Sequence, residues 1–95
     1  MTNLRYRFLP SFDRSIKRMD HQRKHNVKQA AIDIIKALNN SMKPEGLGIK
    51  KLSANLWEIR SGLKDRILYE YANNVIVFII AGNHDEIRKF MKHNT

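Results

Sequence analysis

The fold is decided by residues 49–81, which read IKKLSANLWEIRSGLKDRILYEYANNVIVFIIA. Apolar and polar residues alternate here with a period near 2, the pattern of strands whose two faces meet different surroundings. It predicts four strands, over 49–53, 56–60, 66–72 and 75–81. Asn73-Asn74 separates the last two, and asparagine tolerates the positive φ that tight hairpins require. The run 75–81 is apolar on both faces, so we expect it inside the sheet.

Helical spacing dominates on both sides of this stretch. Residues 4–9 alternate loosely and predict a first strand, which Pro10 ends. A short helix is expected over 11–20 with Ser11 as its N-cap, and the polar segment 20–26 is expected to contain a bend. Apolar residues then recur at helical spacing from Val27 to Leu38, which predicts a helix ending at Asn39-Asn40. A loop over 41–48 follows, because it contains one proline and two glycines.

The segment after residue 81 predicts a C-terminal helix. Asn83 is its expected N-cap, and Glu86 stands three residues later, as a capping box requires. Ile87, Phe90 and Met91 are then spaced to dock this helix on the sheet. The element order predicts one α+β domain over residues 1–95. Its mostly antiparallel sheet of about five strands has two N-terminal helices on one face and a short C-terminal helix.

Composition points to a polyanionic partner. The 95 residues contain 18 Lys and Arg against nine Asp and Glu, a formal net charge of +9. Residues 1–30 hold eight basic and two acidic side chains, so +6 of that charge lies on the N-terminal strand and helices. No cysteine is present, which predicts neither disulfides nor a thiolate metal site and favours the cytoplasm. No apolar run is long enough to span a membrane.

Strand parity predicts where chemistry would occur. Trp57 and Ile59 point to one face of the sheet, and Glu58 and Arg60 point to the other. Arg66 shares the face of Glu58 and Arg60. Lys50 or Lys51 is expected to join them from the preceding strand. His84 is expected to enter from the end of the last strand.

Such a set suits cleavage of an RNA phosphodiester without a metal ion. The 2′-hydroxyl loses a proton as it attacks phosphorus, the transition state gains negative charge, and the 5′-oxygen takes up a proton as it leaves. Arginine side chains clamp phosphate, and imidazole exchanges protons near neutral pH. Charged residues on an exposed sheet face are also compatible with an ordinary solvated surface.

Four segments carry a resemblance to a known family: GIKKL at 48–52, LWEIR at 56–60, DRILY at 65–69 and GNHDEI at 82–87. With the element order, they resemble the RelE/ParE superfamily, the toxins of bacterial type II toxin–antitoxin modules. The Gly-x-His after the last strand resembles the YafQ-like branch. The resemblance implies a cytoplasmic, ribosome-dependent mRNA endonuclease that needs no cofactor, inhibits translation, and is neutralised by a cognate antitoxin.

The resemblance also implies roles for particular residues. Lys50 and Lys51 match lysines that bind the RNA backbone, and Arg60 and Arg66 match positions associated with phosphate. Glu58 lies near a position used as general base in some members, and His84 matches a histidine that acts as acid or base. The basic helical pair is expected to hold ribosomal RNA; its predicted RNA-binding residues are Lys17, Arg18, Arg23 and Lys24.

Two departures leave the general base open. A tyrosine or phenylalanine that is catalytic near the C-terminus of some relatives has no unambiguous match here, although Phe90 is available. A second histidine found on the sheet of others is absent. The alternatives are a ParE-like gyrase inhibitor, an inactive relative that only binds its antitoxin, or a simple basic nucleic-acid-binding domain.

Overall fold

A computed structural model describes residues 4–40 and 48–93 of the chain. Eight elements follow one another in this part of the protein. They are β1 (Arg5–Phe8), α1 (Pro10–Lys17), α2 (His21–Asn39), β2 (Ile49–Lys51), β3 (Leu56–Ser61), β4 (Asp65–Ala72), β5 (Val75–Asn83) and α3 (His84–His93). The five strands form one sheet in the order β1-β5-β4-β3-β2. β1 runs parallel to β5, and the other neighbours are antiparallel. The predicted α+β class and the strand count are confirmed.

One face of the sheet packs against α1 and α2 and forms the main core. The sheet contributes alternate residues of β3, β4 and β5, among them Ile59, Ile67 and Phe78, all almost fully buried. The stripe predicted on α2 supplies Val27 and Ile34, which are equally buried. Period-2 strands and a period-3.6 helix thus bury their apolar sides against each other, as the sequence predicts.

The predicted hairpin turn at Asn73-Asn74 and the predicted capping box of the C-terminal helix are confirmed. Asn73 and Asn74 have φ of 53° and 62° at the β4–β5 hairpin, a conformation that asparagine tolerates. At the start of α3, the Glu86 N–H donates to the Asn83 side chain at 2.8 Å, and the Asn83 N–H donates to Glu86 Oε1 at 3.0 Å. This reciprocal pair is the capping box read from the sequence.

The N-cap predicted for the first helix is wrong, and so is the bend predicted over 20–26. α1 begins at Pro10, where a missing N–H costs nothing, and its N-cap position is Leu9 rather than Ser11. The expected bend over 20–26 is the first turns of α2. Asp20 caps that helix by accepting from the Arg23 N–H at 2.9 Å. The polar residues after Asp20 belong to the helix, and its apolar stripe begins only at Val27.

A β-bulge in β5 was not predicted. Leu68 pairs with Ile80 and Tyr69 pairs with Phe78, which leaves Ile79 as the extra residue. Because one inserted residue reverses side-chain parity, Ile80 shares the face of Leu68, away from the main core. Apolar residues on both faces of 75–81 conceal such a shift in the sequence.

Most of the predicted loop over 41–48 lies outside the described residues. Gly48, within them, has φ of +69°, a conformation that favours glycine. Within residues 4–40 and 48–93, no helix is long and apolar enough to cross a membrane.

Candidate active site

A cleft of about 350 Å³ lies on the sheet face opposite α1 and α2. The strands β2, β3 and β4 form its floor, and α3 forms one wall. Its lining residues are Gly48, Ile49, Lys50, Leu52, Glu58, Arg60, Arg66, His84, Ile87, Arg88 and Met91. The structure therefore brings together the four predicted catalytic residues, Glu58, Arg60, Arg66 and His84. Their roles remain predictions.

The sheet register explains why these side chains meet. Lys50 is paired with Glu58 across β2 and β3, and Arg60 with Arg66 across β3 and β4. Residues paired across a ladder project to the same face. Arg66 is in turn paired with Gly82 on β5, two residues before His84. Three strand pairings therefore deliver the side chains to a single surface.

Glu58 and Arg66 form an ion pair in this cleft. Arg66 Nε lies 2.9 Å from Glu58 Oε1, and the Glu58 side chain is only 14% exposed. This pairing by itself accounts for Glu58 as a neutralising charge, which is the alternative to a catalytic role. A carboxylate held by arginine can still act as a base if an incoming phosphate competes for the guanidinium.

Positive charge predominates in the cleft. Among the described lining residues, Lys50, Arg60, Arg66 and Arg88 are four cations against the carboxylate of Glu58. Arg60 and Arg66 lie directly opposite each other, an arrangement that like charges disfavour and that the Glu58 carboxylate neutralises only in part. A phosphate group would relieve that repulsion, so the site is electrostatically suited to a phosphodiester.

The capping box positions His84 and accounts for the glycine of the Gly-x-His segment. The Glu86 side chain folds back over Gly82 to reach the Asn83 N–H. A Cβ at Gly82 would lie 3.1 Å from Glu86 Cβ and 3.2 Å from its Oε1, tighter than ordinary contact. Glycine therefore leaves room for the cap, and the cap starts α3 at His84.

The lysines of the predicted pair separate onto opposite faces. Lys50 lines the cleft, whereas Lys51 Nζ lies 5.3 Å from the centre of the Trp57 ring. Trp57 packs against the main core, so Lys51 belongs to the helix side of the sheet. Its cation–π contact accounts for its position without RNA.

The other predicted RNA-binding residues lie on the helices. Lys17 and Arg18 are exposed at the end of α1, and Lys24 is half-buried in the first turn of α2. Arg23 donates to both carboxylate oxygens of Asp65. Asp65 is a charged residue at the start of β4, yet its carboxylate is not solvated, because it is buried under Arg23.

Comparison with known proteins identifies the fold. No family model matches the sequence, and no curated protein matches it either. Among solved structures, the E. coli DinJ–YafQ complex matches with TM-score 0.68 and 13% identity, over 90% of this chain and 98% of that one. The RelB–RelE antitoxin–toxin complex of Methanococcus jannaschii matches with TM-score 0.65 and 24% identity, over 87% and 95%. The chain has the RelE-type toxin fold.

The YoeB dimer of Staphylococcus aureus shares this RelE-type fold, with TM-score 0.64 and 20% identity, over 85% of this chain and 97% of that one. The likenesses span nearly the whole RelE-type domain in every case. The predicted RelE/ParE-like architecture is therefore confirmed. At these identities the match concerns the fold alone.

Sequence reasoning missed one charged residue of the cleft in this RelE-type fold. Arg88 lines it together with Ile87 and Met91. The positions 84, 87, 88 and 91 recur at i, i+3, i+4 and i+7, so they lie on one side of α3. This helical spacing is visible in the sequence. The sequence does not show, however, that α3 covers the charged face of the sheet.

Within the described part of this RelE-type domain, no three His, Asp or Glu side chains are grouped to hold a metal ion. The predicted absence of a metal remains a prediction.

Proposed function

We propose that the chain is the toxin of a type II toxin–antitoxin module and acts as a ribosome-dependent mRNA endonuclease. The observation that carries this proposal is the cleft, where four cations, one carboxylate and one imidazole line the sheet of a RelE-type fold. A gyrase inhibitor that only binds its target does not require this combination of phosphate-binding and proton-transfer groups.

Arg60 and Arg66 hold the scissile phosphate in this proposal. They are paired across β3 and β4, so their guanidinium groups can bind two non-bridging oxygens of one phosphate. Lys50 and Arg88 add positive charge from the floor and the wall of the same cleft. Together they stabilise the extra negative charge of the pentacoordinate transition state.

Glu58 and His84 transfer the protons. The 2′-oxygen forms a bond to phosphorus as its proton passes to one of the two groups. The bond from phosphorus to the 5′-oxygen then breaks, and that oxygen takes a proton from the other group. The products are a 2′,3′-cyclic phosphate and a 5′-hydroxyl end. No water or metal ion is consumed, and each proton transfer contributes roughly 10²- to 10⁴-fold.

The partners follow from this activity. The substrate is an mRNA held on the ribosome, so the protein acts in the cytoplasm, where translation occurs. The matched complexes DinJ–YafQ and RelB–RelE contain antitoxins, which supports a cognate antitoxin here. Such a partner would bring carboxylates to the cationic cleft and compete with RNA for Arg60 and Arg66.

The proposal is tested by primer extension on a translated message with purified ribosomes. Wild-type protein should cut the message, and Arg66→Ala and His84→Ala should each lower the cleavage rate by about 10²-fold or more. Arg5→Ala and His25→Ala are matched controls, because both side chains are exposed and line neither wall of the cleft. They should cut at the wild-type rate.

Three results would count against the proposal in different ways. An uncut message with wild-type protein would refute the nuclease. Cleavage unchanged by both site substitutions would keep the nuclease but refute the assigned site. Growth arrest with intact mRNA and inhibited gyrase would favour the alternative of a ParE-like gyrase inhibitor.

A further inference from the structure

A second cleft lies on the other side of α3, between that helix and α1. Its volume is about 410 Å³, and we call it the α1–α3 cleft. Its lining residues are Ser11, Arg14, Ser15, Arg18, Ile80, Ala81, Glu86, Lys89 and Phe90. It shares no lining residue with the candidate active site. The two clefts have only the wall formed by α3 in common.

Two serines fix the geometry of the α1–α3 cleft. β1 pairs with β5 only as far as Phe78, so no strand of the described residues lies on this side of the β5 backbone beyond that point. α1 takes the place of the strand. The Ser11 hydroxyl donates to the Ile79 carbonyl, and the Ser15 hydroxyl accepts from the Ala81 N–H at 3.1 Å. These hydrogen bonds occupy both hydroxyls and fix α1 against β5, so ligand binding is left to the charged residues.

The charged residues of this cleft are mainly cations. Arg14 of α1 and Arg18, the C-cap residue of that helix, are four positions apart, and Lys89 faces them from α3. All three side chains are exposed, and among the described residues no ion pair engages any of them. Glu86 is the single carboxylate, and it is held by the Asn83 N–H and lies 3.8 Å from Arg23.

The rest of the cleft is apolar. Ile80, Ala81 and Phe90 line it beneath the cations. An apolar floor with an aromatic ring suits a base or a ribose, and a cationic rim suits the phosphates that join them. A lipid headgroup or free phosphate would use the rim and leave the floor unoccupied.

We propose that the α1–α3 cleft binds a segment of single-stranded RNA that flanks the scissile phosphate. This proposal rests on the proposed function, because it takes the substrate to be RNA. The residues His84, Ile87, Arg88 and Met91 of α3 face the candidate active site, and Glu86, Lys89 and Phe90 face the second cleft. A helix is about 10–12 Å across with its side chains, so one RNA strand passing over α3 reaches both clefts.

The test measures RNA binding without cleavage. The probe is a fluorescent single-stranded oligonucleotide with 2′-O-methyl groups, which lacks the attacking hydroxyl. Its dissociation constant is determined by anisotropy over a series of salt concentrations. The Arg14→Gln/Lys89→Gln double variant is compared with Arg7→Gln/Lys28→Gln, which removes the same charges from exposed positions that line neither cleft.

Each phosphate neutralised on a single strand contributes about 0.7 to the salt slope of log K. The cleft double variant should therefore lose roughly 1.4 from that slope and bind about tenfold more weakly at low salt. The control double variant should keep the wild-type slope. Circular dichroism and thermal unfolding of both variants establish that the fold is retained.

Equal losses in the two double variants would overturn the proposal, because the cleft would then act only through overall charge. Failure of the wild-type chain to bind the oligonucleotide at low salt would also overturn it. Cleavage is measured separately by primer extension. A protein that cuts mRNA without using the α1–α3 cleft refutes this inference alone, and one that binds RNA there without cutting refutes the nuclease alone.

Discussion

Arg23 and Asp65 form a bidentate ion pair that joins α2 to β4 across 42 residues of sequence. The guanidinium donates from Nε to Oδ2 at 2.9 Å and from Nη2 to Oδ1 at 2.8 Å. The Asp65 side chain is 4% exposed, whereas Arg23 is 36% exposed. Hydrogen bonding to Asp65 raises the pKa of Arg23 above its usual value. The pair fixes the start of β4 immediately before Arg66.

Loss of Arg23 should therefore destabilise the protein. Arg23→Ala leaves a buried carboxylate unpaired, which should lower the free energy of unfolding by about 2 kcal/mol, the lower end of such effects because water reaches one side of the pair. Urea unfolding measures this as a lower midpoint at unchanged m-value. Lys28→Ala, an exposed position on the same helix, should change stability by less than about 0.5 kcal/mol. Equal midpoints for the two variants would contradict the prediction.

Ser15 should contribute to the stability of the fold. It accepts from the Ala81 N–H, which no strand of the described residues engages on that side. Ser15→Ala should cost about 1 kcal/mol and speed hydrogen exchange of the Ala81 amide, since a buried donor loses its acceptor. The exposed Ser53 provides a control. A Ser15→Ala protein whose Ala81 amide exchanges as in wild type would show that α1 does not replace the strand.

The sequence predicted the parts of the fold that depend on periodicity. Strand parity placed Glu58, Arg60 and Arg66 on one face because alternation is a local property. The stripe from Val27 to Leu38 and the capping box at Asn83 were found for the same reason. Neither requires knowledge of a distant residue.

The parts that the sequence did not predict depend on tertiary contacts. In the sequence, Asp65 is one polar residue among polar neighbours, because its partner Arg23 lies 42 positions away. Lys50 and Lys51 are equivalent by composition, and only the register with Glu58 and Trp57 assigns them to opposite faces. The bulge at Ile79 lies in a run that is apolar on both faces, so a change of parity leaves no trace.

Gly82→Ala tests the explanation of the Gly-x-His segment. The added methyl would press on Glu86, so the cap on the Asn83 N–H should be lost and stability should fall by about 1–2 kcal/mol. The φ of Gly82 is not positive, so backbone strain does not contribute. In a Glu86→Gly background the same glycine change should be nearly neutral, because both the Cβ and the Oε1 of residue 86 are already gone. Additive losses in the double variant would refute the contact.

Glu58→Gln separates a proton-transfer role from a merely neutralising one. Removing the carboxylate leaves the described lining of the cleft with four cations and no anion, so a non-cleavable RNA oligonucleotide should bind several-fold more tightly at low salt. Cleavage of translated mRNA should nevertheless fall by roughly 10²- to 10⁴-fold, because a proton-transfer group is lost. Tighter binding with undiminished cleavage would assign Glu58 to charge balance and leave proton transfer to His84 and another group.

Tyr69 should govern stability at alkaline pH. Burial of its phenol in the main core raises its pKa well above the ordinary value of about 10. Below pH 10 the phenol is neutral in both states, and its contribution to stability is fully present. Above pH 10 the unfolded chain releases the proton while the folded protein retains it. Stability is therefore lost as pH rises, by up to about 1.4 kcal/mol per pH unit.

Urea unfolding of wild type and Tyr69→Phe from pH 8 to 11 measures this loss. The substitution should flatten the alkaline decline, because phenylalanine has no proton to release. Tyr6→Phe is the matched control, since the Tyr6 side chain is 53% exposed on β1, and its decline should follow that of wild type. Lysine titration contributes equally to all three proteins and cancels in the comparison. Parallel declines in wild type and Tyr69→Phe would show that the buried phenol does not set the alkaline limit of the fold.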